Sequence, residues 1–173
     1  MVQKNFPIIH ITGFPGVGKT ALVGLLAKRL DIPVYYGTYK GKQLQQVIRE
    51  AEWLLRALSH QRWRNCILEA TALDVRGEFL RKTLRLDQII TIKLEASKEV
   101  LYKRLRLKAK EREQSDDRMF GKVLSDTCTF VDQFYEKFQL LPAPIRINTE
   151  NLTKVEVFHL VLKELRTLGL KVE

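Results

Sequence analysis

Residues 13–20 read Gly13-Phe14-Pro15-Gly16-Val17-Gly18-Lys19-Thr20, and this stretch determines the fold class of the chain. It matches the pattern Gly-x-x-x-x-Gly-Lys-[Ser/Thr] of a phosphate-binding loop. That pattern requires a strand before the loop and a helix after it. The apolar run Pro7–Thr12 predicts the strand, and the segment Lys19–Leu30 predicts the helix. The sequence therefore predicts a loop that binds the phosphates of a nucleotide.

Each residue type in the loop has a physical role in binding phosphate. Glycines let the backbone wrap closely around phosphate oxygens, and the N–H groups and dipole of the following helix attract the anion. We expect Lys19 to bind the β- and γ-phosphates of ATP and the Thr20 hydroxyl to ligate Mg²⁺. The nucleotide-binding residues predicted in this segment are Gly13, Gly16, Val17, Gly18, Lys19, Thr20 and Ala21.

The rest of the chain alternates short apolar runs with longer amphipathic segments, which is typical of a parallel α/β sheet. The predicted strands are 7–12, 32–36, 65–70, 87–95 and 145–147, and the predicted helices are 19–30, 42–61, 97–110, 119–139 and 154–168. Thr153-Lys154-Val155-Glu156 is a capping-box pattern at the start of the last helix, and Gly169 is its expected stop.

Composition indicates a single domain, because the 173 residues contain neither repeats nor a Pro/Gly/Ser-rich linker. The apolar run near the N-terminus is too short for a signal peptide or a membrane span, so we expect a cytoplasmic protein. Cys66 and Cys128 lack the spacing of a zinc site or a redox pair and are expected to be free thiols.

The formal net charge of +10 predicts attraction to polyanions. Nucleic acid, phosphorylated metabolites and nucleotides all satisfy this prediction, and charge alone does not choose among them.

Two further features point to phosphoryl transfer. Glu69 lies at the carboxyl end of an apolar strand, where open α/β sheets bind their ligands, so it could orient Mg²⁺ or act as a general base. The other interpretation of Glu69 is an ordinary strand-end carboxylate in water. The segment from Lys103 to Arg118 is rich in cations, which predicts a lid that closes over the γ-phosphate, with a mobile loop at 110–118.

Three stretches of the sequence resemble the small P-loop kinases, the group that includes adenylate and other nucleoside monophosphate kinases, shikimate kinase and gluconate kinase. They are the loop GFPGVGKT with its strand and helix, the segment 90–118 with its lid-like tract KAKEREQSDDR, and the segment 145–165. The resemblance implies a three-layer α/β/α P-loop NTPase domain over residues 1–173, with a parallel sheet of about five strands and a lid at 104–118.

The resemblance also implies roles for individual residues. Arg104 corresponds to a conserved arginine of the lid helix, and Thr149 and Glu150 lie where the backbone would contact adenine. Gln114 replaces an arginine that adenylate kinases carry in the lid. The lid residues are Arg112, Asp116, Asp117 and Arg118. Together with the analysis above, this gives Lys19, Glu69 and Arg104 as the candidate catalytic residues.

The acceptor region, residues 31–64, matches no family. Arg49 and Arg56 share one face of the predicted helix 42–61, and Arg76 follows Glu69, so these three arginines are the candidate acceptor-binding residues. Tyr35, Tyr36 and Tyr39 could stack on a base or fill the core.

These features favour an ATP- and Mg²⁺-dependent kinase whose acceptor is a small molecule, with a nucleotide or nucleoside as the first choice. The alternative is a nucleic-acid-associated P-loop protein, either a polynucleotide 5′-kinase or an RNA-linked ATPase. A nucleotide-binding switch is disfavoured because the sequence has no Asn-Lys-x-Asp run to specify guanine.

Overall fold

The computed structural model describes residues 7–36, 56, 59–60, 64–70, 89–113 and 120–172. Within these residues the elements run in the order β1 (Ile8–Gly13), α1 (Lys19–Leu30), β2 (Val34–Tyr36), β3 (Cys66–Glu69), β4 (Ile89–Glu95), α2 (Lys98–Glu113), α3 (Phe120–Gln139), β5 (Ile145–Asn148) and α4 (Lys154–Thr167).

The five strands form one sheet in the order β2-β3-β1-β4-β5, and every neighbouring pair is parallel. β1 is the central strand, with Ile11 in register with Glu69 of β3 on one side and with Ile92 of β4 on the other. Because all strands run the same way, their carboxyl ends meet at one edge of the sheet, where ligands of such folds bind. The predicted α/β class and parallel sheet are confirmed.

The sheet is covered on both faces, which explains its apolar strands. Ile9 and Ile11 of β1 belong to one large core with the buried residues of α1 and α4, and these two helices contact each other. Lys93 of β4 faces the other side, where it meets the end of α3, and α3 contacts α2. The fold is therefore a three-layer α/β/α domain.

Local signals in the sequence set the ends of α4. The Thr153 side chain accepts a hydrogen bond from the Glu156 backbone N–H, and the Glu156 carboxylate accepts one from the Thr153 N–H. This is the predicted capping box. Gly169 follows the helix with φ of 81°, a left-handed conformation that a glycine adopts without strain.

Two sequence-based expectations differ from the structure. The helix predicted to end near Lys110 continues to Glu113, so the first part of the predicted mobile loop is helical. The physical reason is that Lys, Arg and Glu are good helix formers, and charges of opposite sign spaced by three or four residues stabilise a helix. The second is the strand predicted at 87–95 from its apolar residues, in which the side chain of Lys93 is completely buried as well.

Burial removes water from the Lys93 ammonium, which is unfavourable, and the groups that contact the ammonium offset this loss. Its ammonium donates to the carbonyl oxygen of Gln139 at 3.0 Å and lies 2.8 Å from a carboxylate oxygen of Glu95. Glu95 also pairs with Arg146 of β5 at 2.8 Å, and this pairing lowers the pKa of the Glu95 carboxyl against the opposing effect of burial. Lys93 therefore connects the end of α3 to the sheet.

Cys66 and Cys128 are both free thiols. Burial raises the pKa of the Cys66 thiol to about 12, so it stays protonated and unreactive at neutral pH. Among the helices in the described part of the chain, each is too short or too polar to cross a membrane.

Candidate functional site

The loop of residues 13–20 connects the carboxyl end of β1 to α1, at the centre of the sheet edge. Gly13 has no room for a side chain, because a Cβ there would lie 2.7 Å from Val17 Cγ1 and 2.8 Å from the Leu94 carbonyl oxygen. Gly18 precedes α1 with φ of 100°, a conformation that favours glycine. The first turn of α1 carries no acidic residue, so the helix dipole attracts an anion at this point without competition from its own side chains.

Phe14 fixes the loop to the layer formed by α2 and α3. Its ring is buried and packs against Phe138, with ring centroids 4.7 Å apart, and against Phe130 and Tyr135 of the same helix α3. Such aromatic clusters combine apolar burial with favourable ring geometry. The loop is therefore held from both sides, by the sheet and by α3.

Lys19 is the first residue of α1, and only 7% of it is exposed. Its ammonium donates hydrogen bonds to the carbonyl oxygens of Gly13 at 2.9 Å and Phe14 at 3.1 Å, so the side chain curls over the loop. Burial lowers the pKa of Lys19 to about 8, while the nearby Glu69 carboxylate acts to raise it and Lys108 acts to lower it. A cation held in this way gains from the approach of a phosphate group.

Glu69 and Thr20 are brought together across the sheet edge. The Thr20 hydroxyl donates to Glu69 Oε1 at 3.0 Å. Glu69 is 4% exposed, and its other carboxylate oxygen, Oε2, is buried and has no hydrogen-bond partner among the described residues. A buried carboxylate oxygen without a partner is costly, which distinguishes Glu69 from an ordinary strand-end carboxylate in water.

The Thr20 hydroxyl and the Glu69 carboxylate are the kinds of oxygen ligand that fit a magnesium ion. Mg²⁺ prefers oxygen ligands and usually takes one or two protein groups together with phosphate oxygens and waters. Thr20 and Glu69 supply a hydroxyl and a carboxylate at the loop. No group of three or more His, Cys, Asp or Glu side chains that could hold a metal unaided occurs in the described part of the chain.

Lys108 is a candidate phosphate-binding residue that the sequence analysis did not single out. It lies on α2, and its charge acts on Lys19. The same side of α2 carries Leu105, whose side chain lies within 3.4 Å of the position that a Cβ on Gly16 would take. Residues three or four positions apart share a face of a helix. The spacing from Leu101 to Leu105 to Lys108 is therefore the feature of the sequence that predicts Lys108 on the face of α2 that meets the loop.

Arg104 contacts the segment that follows β5. Its guanidinium donates to Thr149 Oγ1 at 3.0 Å and to the backbone carbonyls of Thr149 and Glu150. The Thr149 N–H donates to the Glu95 carbonyl, and the Glu150 carboxylate accepts from the Ser97 N–H, which lowers the pKa of that carboxyl. Arg104, Thr149 and Glu150 are therefore brought together as predicted, although their roles toward a nucleotide stay predictions.

The tyrosines after α1 separate into two environments. Tyr35 packs against the buried cluster of Ile8, Cys66, Leu68 and Ala70, so it fills the core. Tyr36 is 48% exposed and is in register with Glu69 on the adjacent strand.

The remaining predicted site residues lie away from the loop in the sequence. Arg56 is exposed and helical, and Arg112 belongs to α2. The other predicted residues, which lie outside the described part of the chain, are Arg49, Arg76, Asp116, Asp117, Arg118 and Tyr39.

Comparison with known proteins identifies the fold. No family model and no curated protein matches the sequence. Solved structures do match. A shikimate kinase from Acinetobacter baumannii in complex with shikimate superposes with a TM-score of 0.60 at 18% identity, covering 98% of this chain and 97% of that one. The chain has the fold of the small P-loop kinases.

Two further small P-loop kinases illustrate the same similarity. A shikimate kinase from Bacteroides thetaiotaomicron gives a TM-score of 0.57 at 18% identity, covering 95% of this chain and 99% of that one. A gluconokinase from Sinorhizobium meliloti 1021 gives a TM-score of 0.54 at 15% identity, covering 94% and 93%. Each match spans nearly the whole of both chains, so the similarity is to the complete small P-loop kinase fold.

Proposed function

We propose that the protein is an ATP-dependent phosphotransferase that moves the γ-phosphate of Mg·ATP to a small acceptor, with a nucleotide or nucleoside as the favoured acceptor. The observation that carries this proposal is the arrangement of Lys19 and Thr20, at the start of α1, beside Glu69, at the end of β3. A buried cation, a hydroxyl and a buried carboxylate converge there. The full-length match to small P-loop kinases supports the same proposal.

In the proposed complex, the phosphates of ATP lie at the start of α1. Lys19 exchanges its hydrogen bonds to the carbonyls of Gly13 and Phe14 for bonds to phosphate oxygens, which are stronger acceptors because they are charged. Lys108 of α2, whose charge acts on Lys19, would add a second positive charge near the same phosphates. Arg104 and the segment at Thr149 and Glu150 lie on the nucleotide side of the site.

Mg²⁺ bound at Thr20 and Glu69 would neutralise phosphate charge during transfer. The chain's own contribution is to hold the reactants in place and to exclude water. The predicted lid, residues 104–118, would close over the γ-phosphate. Residues 104–113 of this segment belong to α2, which packs beside Gly16 of the loop.

Transfer makes one bond and breaks one. The accepting oxygen bonds to the γ-phosphorus, the bond from that phosphorus to the β,γ-bridging oxygen breaks, and ADP leaves with the electron pair. When the acceptor is a hydroxyl, its proton must be taken up. Glu69 Oε2 is a buried base that lies beside the loop. Glu69 therefore has two alternative proposed roles, one at the magnesium ion and the other as a base toward the acceptor.

The experiment is an ADP-release assay with Mg·ATP over nucleosides, nucleoside monophosphates, shikimate and gluconate. We expect ADP release that depends on one class of acceptor. The variant Lys19→Ala should lose about 10²-fold or more of this activity, because the phosphate loses a preorganised charged partner. The control Lys28→Ala removes an exposed lysine in the last turn of the same helix and should leave activity unchanged. Equal activity of Lys19→Ala and wild-type protein would refute the proposal.

A further inference from the structure

Tyr36 and Glu69 are neighbours at the edge of the sheet where the proposed reaction takes place. They are paired in register on the parallel strands β2 and β3. Paired residues on adjacent strands point to the same face, and the strands lie about 4.8 Å apart. The side chain of Tyr36 therefore begins one strand spacing from the carboxylate that we place beside the acceptor.

The two side chains offer different chemistry to a ligand. Tyr36 is 48% exposed, whereas its neighbour Tyr35 packs into the apolar cluster on the other face of the sheet. Glu69 is buried and presents an oxygen without a partner in the described part of the chain. One position thus supplies an aromatic face, and the next supplies a hydrogen-bond acceptor near the phosphates.

We infer that the acceptor carries a planar ring that stacks on Tyr36 while its phosphoryl-accepting oxygen lies beside Glu69. This inference rests on the proposed function and specifies its substrate class. A nucleoside or nucleotide has the required layout, because one sugar separates its base from its 5′ oxygen. An alicyclic or open-chain polyhydroxy acid has no aromatic ring to stack on Tyr36, and a tyrosine face is a poor partner for a carboxylate.

The shikimate and gluconate kinases of similar fold make this distinction testable. ADP release is measured with the four ribonucleosides, thymidine and their 5′-monophosphates, and in parallel with shikimate and gluconate. We expect release with at least one ring-bearing acceptor and none with the two acids. Nucleosides and monophosphates are separate arms of the panel, so the result also identifies which of the two supplies the ring.

Variants of Tyr36 test the stacking contact itself. Tyr36→Leu keeps an apolar side chain but removes the ring, and we expect it to raise the KM of the ring-bearing acceptor about tenfold while the KM for ATP stays constant. Tyr36→Phe keeps the ring and should stay within about twofold of the wild-type KM. Leu168→Ala is the control, because Leu168 is a similarly exposed apolar residue beyond α4.

Two results would overturn the inference and leave the proposed phosphoryl transfer from ATP to a small acceptor intact. They are ADP release with shikimate or gluconate only, and an unchanged acceptor KM in Tyr36→Leu. Absence of ADP release across the whole panel would overturn the proposed function and this inference together.

Discussion

At the residue scale, Lys19 is a group of the proposed site whose pKa the fold changes strongly. Burial removes water from its ammonium, and the two loop carbonyls replace that water only in part. The result is a lysine with a pKa of about 8, well below the usual 10.5. A phosphate that binds next to it favours the charged form, so nucleotide binding and protonation of Lys19 are linked.

This linkage predicts a pH dependence of ATP binding. Below pH 8, Lys19 is already charged in the free protein, and affinity should be constant. Above pH 8, the free protein carries neutral Lys19, which must take up a proton on binding, so the Kd for Mg·ATP should rise up to about tenfold per pH unit. Calorimetry at pH 9 in buffers of different ionisation enthalpy measures this proton uptake. A Kd that is flat from pH 7 to 10 would contradict the assignment.

The variant Lys108→Ala provides a second test of the same site. Lys108 lowers the pKa of Lys19, so its removal should move the midpoint of the pH dependence upward while weakening ATP binding at pH 7 severalfold. Lys163→Ala, which removes an exposed lysine of α4 outside the predicted site, is the control. A weaker affinity with no change in midpoint would mean that Lys108 does not act on Lys19.

At the scale of elements, α2 joins the two halves of the proposed nucleotide site. Leu105 packs beside the loop at Gly16, and Arg104, one residue earlier, binds the segment after β5. The Glu150 carboxylate in turn accepts from the backbone N–H of Ser97, just before α2 begins. A movement of α2 would therefore displace both sides of the site together.

Arg104→Ala tests which role this arginine has. In the structure the Arg104 guanidinium donates hydrogen bonds to Thr149 and Glu150. Hydrogen bonds from a charged group contribute about 1.5–3 kcal/mol each. We therefore expect the variant to release the segment at Thr149 and Glu150 and to weaken nucleotide binding about tenfold. The sequence predicts a catalytic role for Arg104, and in that role its removal lowers turnover more than it lowers affinity for ATP. Separate measurements of the Kd for ATP and of kcat distinguish the two roles.

The capping box of α4 provides a prediction about stability. Thr153→Ala removes one of the two reciprocal hydrogen bonds and should lower the free energy of unfolding by about 1 kcal/mol. Lys154→Ala, one position later and exposed, should change it little. Urea unfolding of both variants measures the difference, and equal midpoints would show that the box contributes nothing. ATP affinity should be unchanged in both.

Elements with a strong local signal could be predicted from the sequence. The loop, α1 and the capping box each depend on residues close together in the chain, and the structure places all three as predicted. The burial of Lys93 could not be predicted, because its partner carbonyl at Gln139 is distant in sequence. The pairing of Glu69 with Tyr36 could not be predicted either, because it depends on the order of the strands in the sheet. The predictions for residues 71–88 stay untested, because these residues lie outside the described part of the chain.

At the scale of the whole molecule, the net charge of +10 supports two kinds of partner. In the proposed kinase, Lys19 and Lys108 account for part of this charge and would bind the phosphates of ATP. The nucleic-acid alternative remains open on charge alone, since a basic surface attracts any polyanion.

We expect nucleic acid to be a weak and nonspecific ligand. A 5′-hydroxyl oligonucleotide should bind at low salt, lose that binding steeply as salt increases, and not stimulate ADP release. Filter binding from 50 to 200 mM salt, with ADP release measured in parallel, tests both statements. ADP release that requires the oligonucleotide, with no release in the presence of small acceptors, would favour the polynucleotide kinase.

The central position of β1 also has a consequence for biosynthesis. β1 leaves the ribosome before both of its sheet neighbours, β3 and β4, which lie far downstream in the chain. Parallel strands pair only after a long connection has been closed. The phosphate-binding loop therefore lacks the packing of Leu94 beside Gly13 until β4 has been synthesised. During this interval the apolar β1 is not paired with β3 and β4, and an unpaired apolar strand is prone to aggregation.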